Sequence, residues 1–489
     1  MANMVTEADV LRVLRGYNPW WATGVVPREL AKEMRRLAFY ETHSLLREKG
    51  FRRAVMLTGA RRVGKTTVLY QLAEEALARR EFAPNEILYV SFDHPILKMS
   101  SPDRILKCFR ENVASGTGRF FLLLDEIHYA DDWASWLKVW VDTLPNCHIV
   151  ATGSAGSALA LDGVESGVGR WATVRMPTLS FYEYLHLIGV ETPKLPPELA
   201  PADLLHLAMP EAQAVLTKCL PLREHFHRYL LTGGFPEVAL IENLAAAQRL
   251  LREDVVDKVL KRDMTALFNV RNVLELERVF IYLCLYSGQI LVQDTLAREI
   301  GVARTTVANY LKFLEAAHLI HRLDPFDLGG KKSLKPRPKV YLADPSIREA
   351  VLLRNDDSLA APAEMGLIVE TAVAKHLFSF YYRAMPRFGY WRDAKTEKEV
   401  DFIVALLNDR HIMVEVKYSD APAVKTIDGL YLFARDHPTS EAFVITKNEE
   451  DFGPLPEIET ARGRVQPFRV PTFLFLYLLG AAERNKMGA

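Results

Sequence analysis

Gly59-Ala60-Arg61-Arg62-Val63-Gly64-Lys65-Thr66-Thr67 is the stretch that decides the fold. It fits the pattern G-x-x-x-x-G-K-T. Two glycines let the backbone turn and approach an anion closely, the backbone N–H groups point at phosphates, a lysine reaches the β- and γ-phosphates, and a hydroxyl is placed to ligate Mg²⁺. Before it, Ala54 to Leu57 is apolar and of strand length; after it, Thr67 to Ala73 has helical spacing. A loop between strand and helix sets the helix N-terminus against the phosphates. The expectation is a parallel α/β domain that binds a nucleoside triphosphate through Gly59, Arg62, Gly64, Lys65, Thr66 and Thr67.

Hydrolysis needs an acid at the end of a neighbouring strand. Phe120 to Leu124 is continuously apolar, as a strand covered on both faces should be, and it ends in Asp125-Glu126. Asp125 is placed to hold Mg²⁺ with Thr66, and Glu126 to polarise the attacking water. Two further strands are expected at Ile87–Phe92 and His148–Ser154, an order compatible with one strand lying between the two motif strands. The second ends in small polar residues, and Ser154 or Thr152 is the candidate group to sense the γ-phosphate. A fifth strand is expected at Trp171–Met176. Trp133, Trp136 and Trp140 recur at helical spacing and read as core, with Asp131-Asp132 capping that helix.

The 489 residues suggest several domains, and 25% charged with 49% apolar residues is an ordinary globular balance. Lys plus Arg equals Asp plus Glu, so no global field points to nucleic acid, and any such surface must be local. Cys108, Cys147, Cys219 and Cys284 are scattered singly, which argues against zinc clusters and a disulfide scaffold. The polar N-terminus is not a signal peptide. The apolar stretch Val470 to Ala482 is too short to span a bilayer. The expectation from these features is a cytoplasmic protein without a membrane partner.

Residues 1–190 are read as helices followed by the ATPase domain, with Asn18-Pro19-Trp20-Trp21 as a turn packed on its core. Leu179 to Leu185 reads as a strand-to-helix transition. Residues 191–270 are read as a helical lid or insertion, the Pro-rich part from Thr192 to Pro221 lying outside the core. Residues 271–350 change character. Helices at Leu276–Leu285, at Gln293–Ile300 ending at Gly301, and at Ala303–Leu314 form a helix-turn-helix, and strands at Leu319–Leu323 and Lys339–Leu342 make it a winged helix. Val307, Leu311 and Leu314 share its buried face. Arg304, Thr305, Thr306, Asn309 and Lys312 are available to a groove, and Lys331, Lys332, Lys335 and Arg337 make the wing basic. Two readings stand: a module that binds duplex or branched DNA, or one used for packing.

Residues 351–489 read as an α+β domain. A helix at Gly366–Tyr381 carries Glu370, and strands follow at Phe388–Arg392, Glu399–Leu406 and His411–Lys417. Alternation puts Glu415 and Lys417 on one strand face. With Asp401 on the same face of its neighbour, two carboxylates can hold Mg²⁺ and the lysine can orient a water. Glu370, Asp401, Glu415 and Lys417 are the constellation of nucleases with the restriction-endonuclease fold.

The ordered set GARRVGKTT, LLLDEIHYADDW, ATGS, Gly169-Arg170 followed by LSFYEYL, GGFPE, KVLKRDM, the winged helix, GLIVE and YWRDAKTEKEVDFIV with VEVK resembles one architecture. It is that of bacterial and archaeal AAA-type ATPases that end in a restriction-endonuclease-like domain, relatives of the STAND class. The resemblance implies that Gly64, Lys65 and Thr66 bind ATP and Mg²⁺ and that Asp125 and Glu126 run hydrolysis. It implies that Arg170 stands near the γ-phosphate, in its own chain or as a finger towards a neighbour in a homo-oligomer, and that the GGFP turn packs over the nucleotide. Two functions follow: a DNA-dependent ATPase or motor, with or without Mg²⁺-dependent cleavage, or a nucleotide-gated regulatory switch whose nuclease-like domain binds a partner protein.

Overall fold

The computed structural model describes residues 5–114, 118–153, 169–196, 199–268, 270–326, 337–354, 361–393, 395–407, 410–419, 428–460 and 463–486. They fall into two compact units. The first is built on the chain up to Pro177, with the short stretch Ala316–His318 grouped with it; the second runs from Thr178 to Glu315 and from Leu319 to Lys486.

The first unit opens with helices α1 (Glu7–Tyr17), α2 (Trp20–Thr23), α3 (Arg28–Ala31) and α4 (Leu37–Arg47). Five strands follow, β1 (Ala54–Thr58), β2 (Ile87–Ser91), β3 (Phe121–Asp125), β4 (His148–Gly153) and β5 (Trp171–Arg175), with helices α5 (Lys65–Ala78), α6 (Pro95–Lys98), α7 (Pro102–Asn112) and α8 (Trp133–Thr143) between them. All neighbouring strands are parallel, in the order β2-β3-β4-β1-β5. β4 is therefore the strand between the two motif strands. Every residue of β1, β2 and β3 is buried, the condition of a sheet covered on both faces. Val10 and Leu14 of α1, Ile105 and Phe109 of α7, and Leu137 and Trp140 of α8 join Leu88, Leu122 and Ile149 in one core.

The Asn18–Trp21 turn closes the β2 edge of this sheet. The Asn18 amide donates to Tyr89 O at 2.9 Å and accepts from Tyr89 N at 2.7 Å, while the indoles of Trp20 and Trp21 donate to Ile87 O at 3.2 and 2.8 Å. An edge strand's orphaned backbone groups are thus satisfied by side chains. Asp132 stands at the N-cap of α8, but in a left-handed conformation and without a capping side-chain bond, so the capping expected there is not made.

In the second unit, α9 (Phe181–Leu187) begins directly at Ser180. Glu183 N donates to Ser180 Oγ at 3.2 Å and Ser180 N donates to Glu183 Oε2 at 3.1 Å. This capping box starts a helix where a strand-to-helix transition was expected. The stretch from Thr192 to Pro221 does hold short helices, including α10 (Met209–Cys219), but Leu204, Leu216 and Cys219 are fully buried. It belongs to the unit's core and is not a loose insertion. Helices α11 (Phe226–Thr232), α12 (Pro236–Ala239), α13 (Leu244–Leu251) and α14 (Met264–Phe268) follow, then α15 (Val273–Leu285), α16 (Gln293–Ile300) and α17 (Arg304–Ala316). Gly301 ends α16 at φ 81. β6 (Ile320–Leu323) and β7 (Lys339–Leu342) pair antiparallel, and Ile290 bridges to Lys339 on the other side of β7.

After α18 (Pro345–Leu352) and the long, mostly buried α19 (Pro362–Tyr381) come β8 (Arg387–Arg392), β9 (Glu399–Leu406) and β10 (Arg410–Lys417). Next are α20 (Asp428–Asp436), β11 (Glu441–Thr446), β12 (Gly453–Pro454), a small hairpin of β13 (Ile458–Thr460) and β14 (Gly463–Val465), then β15 (Phe468–Pro471) and α21 (Thr472–Lys486). The main sheet is mixed, in the order β12-β15-β11-β10-β9-β8. The apolar stretch near the C-terminus is β15 and buried α21. Among the described residues no helix is long and apolar enough to cross a membrane.

Candidate functional site

The loop Gly59–Gly64 joins the buried strand β1 to α5, whose N-cap is Gly64 at φ 100. A Cβ on Gly59 would lie 2.2 Å from Met176 O. Only glycine lets the loop pass beneath the end of β5. Arg62 is also left-handed, at φ 62. Lys65 is buried, and its ammonium donates to Gly59 O at 3.0 Å and Ala60 O at 2.9 Å, so it is folded back on its own loop. Arg36 braces the loop from outside, donating to Val63 O at 2.7 Å and Pro177 O at 2.8 Å. Thr66 is exposed and Thr67 half-buried.

Asp125 is the centre of the site. Its carboxylate accepts from Thr66 Oγ1 at 2.8 Å, Tyr89 OH at 2.8 Å and Thr152 Oγ1 at 2.6 Å. Burial, and then the neighbouring Glu126 charge, push its pKa up against the pull of these hydrogen bonds. Glu126 is left-handed at φ 50, and its N–H donates to Thr152 Oγ1 at 2.9 Å. His128 Nδ1 lies 3.3 Å from Glu126 Oε2. A hydroxyl and a carboxylate in contact, with an anionic excess that a cation would relieve, form a donor set suited to Mg²⁺. Thr152 thus holds Asp125 and Glu126 in place. Ser154 lies outside the described residues.

Arg170 is not at the phosphate end of the sheet. Parallel pairing sets Ala54 beside Trp171 and Thr58 beside Arg175, and Ala54 N donates to Arg170 O at 2.9 Å. The loop leaves from Thr58. At about 3.3 Å per residue the two ends of β1 are roughly 13 Å apart. Arg170 faces α8, where its Nε meets Asp142 at 3.1 Å. The arginine beside the loop is Arg175, which is exposed on the edge strand.

In the second unit α17 buries Val307, Tyr310, Leu311 and Leu314 and exposes Arg304, Thr305, Asn309 and Lys312, with Thr306 half-buried. Arg304 Nε is 3.5 Å from Asp294. Arg337 is exposed; Lys331, Lys332 and Lys335 lie outside the described residues. The hairpin root is attached to the mixed sheet. Phe326 N donates to Tyr390 O at 2.6 Å, Tyr390 N to Asp324 O at 3.2 Å, and Tyr390 OH to Arg337 O at 2.6 Å.

The expected carboxylates do come together. β10 pairs with β9 so that Val414 faces Phe402, and one further step sets Asp401 across from Glu415. There the ladder gives way to side chains: Asp401 N donates to Glu415 Oε2 at 3.2 Å, and Val416 N donates to Asp401 Oδ2 at 2.9 Å. Lys417 is bonded to Glu415. The sequence reading missed what fills the middle. Lys339 of β7 reaches in, with Nζ 3.4 Å from Glu370 Oε1, 3.4 Å from Asp401 Oδ1, and ion-paired to Glu399. Tyr341 donates to Glu370 Oε1 at 2.7 Å. Burial, then the Asp401 charge, push Glu370 up to about 7 and Glu415 up to about 8. Burial alone would lower Lys339; Tyr341, Glu370, Asp401 and Glu399 overcome it and hold the ammonium charged. Among the described residues no group of three acidic, His or Cys side chains is arranged to hold a metal. The missed signal was a lysine heading an otherwise apolar strand, one alternation from Tyr341.

Residues 51–185 match the family model of an AAA domain, and their parallel sheet is the α/β fold of P-loop ATPases. Residues 223–358 and 365–460 match two domains of unknown function, DUF8612 and DUF4143. An uncharacterized protein of Haemophilus influenzae is 24% identical over 373 residues, 74% of this chain and 82% of that protein. One of Methanocaldococcus jannaschii is 26% identical, covering 76% and 78%. One of Mycobacterium tuberculosis is 28% identical, covering 76% and 71%. Among solved structures, AMPPCP-bound DnaA from Aquifex aeolicus is 16% identical with a TM-score of 0.24, over 58% of this chain and 88% of that one. Cdc6p from Pyrobaculum aerophilum is 14% identical with a TM-score of 0.26, over 73% and 98%. At these scores neither carries an argument about function.

Proposed function

We propose that this chain is a Mg²⁺-dependent ATPase that binds duplex or branched DNA through a winged helix made of α15, α16, α17 and the β6–β7 hairpin. The observation that carries the ATPase is the triple hydrogen bonding of Asp125 beside a left-handed Glu126, at the end of a strand next to the phosphate loop. Lys65 exchanges the carbonyls of Gly59 and Ala60 for the β- and γ-phosphates. Thr66 and Asp125 would hold Mg²⁺, which when bound would supply charge neutralisation at the phosphates. Glu126 orients the attacking water. The winged-helix reading is supported by three helices followed by a hairpin, with a single bridge from Ile290 to Lys339 of β7. DNA binding is supported by Arg304, Thr305, Asn309 and Lys312 on the open face of α17.

Fluorescence anisotropy of labelled duplex and four-way DNA tests the DNA part. Arg304→Ala with Lys312→Ala should weaken binding and flatten its salt dependence; equal binding by wild type and variant would remove α17 as the contact. A second reading, a nucleotide-gated switch with a non-cleaving nuclease-like domain and an oligomeric state set by the nucleotide, is favoured by one observation. The hairpin is fastened to the mixed sheet, and its Lys339 fills the carboxylate cluster.

A further inference from the structure

The carboxylate cluster of the second unit already holds a cation supplied by the chain itself. Lys339 has a side chain only 5% exposed, and its ammonium is in reach of three carboxylates from two elements, Glu370 on α19 and Glu399 and Asp401 on β9. Its strand has no slack. β7 is paired to β6 along its length, Ile290 bridges it on the other side, Gly288 N donates to Val340 O at 2.8 Å, and Leu291 N donates to Pro338 O at 2.7 Å. These pairings fix the backbone of Lys339 beside the cluster, so the ammonium leaves either by a turn of its flexible side chain or with movement of the strand.

An ammonium and a divalent cation compete for the same oxygens but ask for different geometry. Ammonium donates hydrogen bonds at about 2.7–3.2 Å, whereas Mg²⁺ draws oxygens in to about 2.1 Å. Without a central cation these buried carboxylates would have to take up protons or remain uncompensated, and either is unfavourable.

We propose that Lys339 is the resident cation of this cluster and its latch: Glu370, Glu399 and Asp401 accept a divalent metal only when the lysine is withdrawn. The latch goes beyond the ATPase reading and does not depend on which ligand α17 takes. It links anything that displaces Lys339 to metal uptake in the mixed-sheet domain.

The test counts Mn²⁺ bound per full-length chain by electron paramagnetic resonance, without nucleotide, in wild type, Asp401→Asn, Lys339→Met and the double variant. Metal held elsewhere, at the phosphate loop included, cancels between each pair. Wild type and Asp401→Asn should bind the same amount. Lys339→Met should gain one Mn²⁺ that the double variant loses, and should melt at a lower temperature that Mn²⁺ restores. If Lys339→Met does not fold, the first pair decides: one fewer Mn²⁺ in Asp401→Asn than in wild type means that metal enters with Lys339 in place and overturns the latch, and equal binding upholds Lys339 as the cation that keeps metal out. A folded Lys339→Met that gains no Mn²⁺ also overturns it.

Discussion

Thr152 donates its hydroxyl to Asp125 at 2.6 Å and, through the same oxygen, receives the backbone N–H of Glu126 at 2.9 Å. One side chain thereby sets the direction of both acids. Thr152→Val keeps the shape and removes both bonds. Hydrolysis should fall by about 10- to 100-fold, the usual effect of losing an outer partner of a metal ligand, while ATP affinity stays near wild type. Paired turnover and equilibrium binding measurements check this. Equal turnover would mean that Thr152 only fills space.

Arg175 and Arg170 stand at opposite ends of β5. Arg175→Ala should lower ATP turnover, and Arg170→Ala should leave it unchanged. A loss with Arg170→Ala that deepens with protein concentration would instead assign Arg170 to a neighbouring subunit's site.

Gly234 is held against a buried ion pair. A Cβ there would lie 1.9 Å from Asp344 Oδ2, and Asp344 meets the buried Lys375 ammonium at 2.7 Å. Gly234→Ala must displace Asp344 from Lys375. The expected cost is on the order of 3 kcal/mol, read as a lower denaturant midpoint. An unchanged midpoint would show that the turn can shift freely.

Glu370 and Glu415, at about 7 and about 8 in the folded chain, hold protons where an unfolded chain has released them. Their contribution to stability is complete below the ordinary carboxyl value of 4.5. It is lost as pH rises through the two folded values, by several kcal/mol between about pH 5 and pH 9. The groups facing the pair are Lys339 and Tyr341 from β7, Glu399 and Asp401 from β9, and Lys417 from β10. Asp401→Asn removes a charge that raises both carboxyls, so it should flatten the fall in melting temperature above neutral pH. A slope identical to wild type would detach these carboxyls from that fall.

Much of this was legible because it is local. The β1–loop–α5 unit, the helix ending at Gly301, and the face shared by Glu415 and Lys417 follow from spacing along short segments, whereas Asp401 reaches that face through the β9–β10 register. The Arg170 placement could also have been read. A residue that precedes a parallel strand sits at the end opposite the residue that follows the loop strand. Lys339 was not legible, because nothing near Lys339 in the chain indicates that its strand lies against α19 and β9. The same is true of Gly234, whose constraint is a carboxylate brought from Asp344.

Steady-state ATP hydrolysis by the full-length chain tests the central claim most directly. It should be measured with wild type, Lys65→Ala and Glu126→Gln, alone and with single-stranded, duplex, forked and four-way DNA. The account predicts Mg²⁺-dependent turnover in wild type only, raised by at least one duplex or branched form. Turnover that no DNA form changes would contradict it and favour the partner-gated switch.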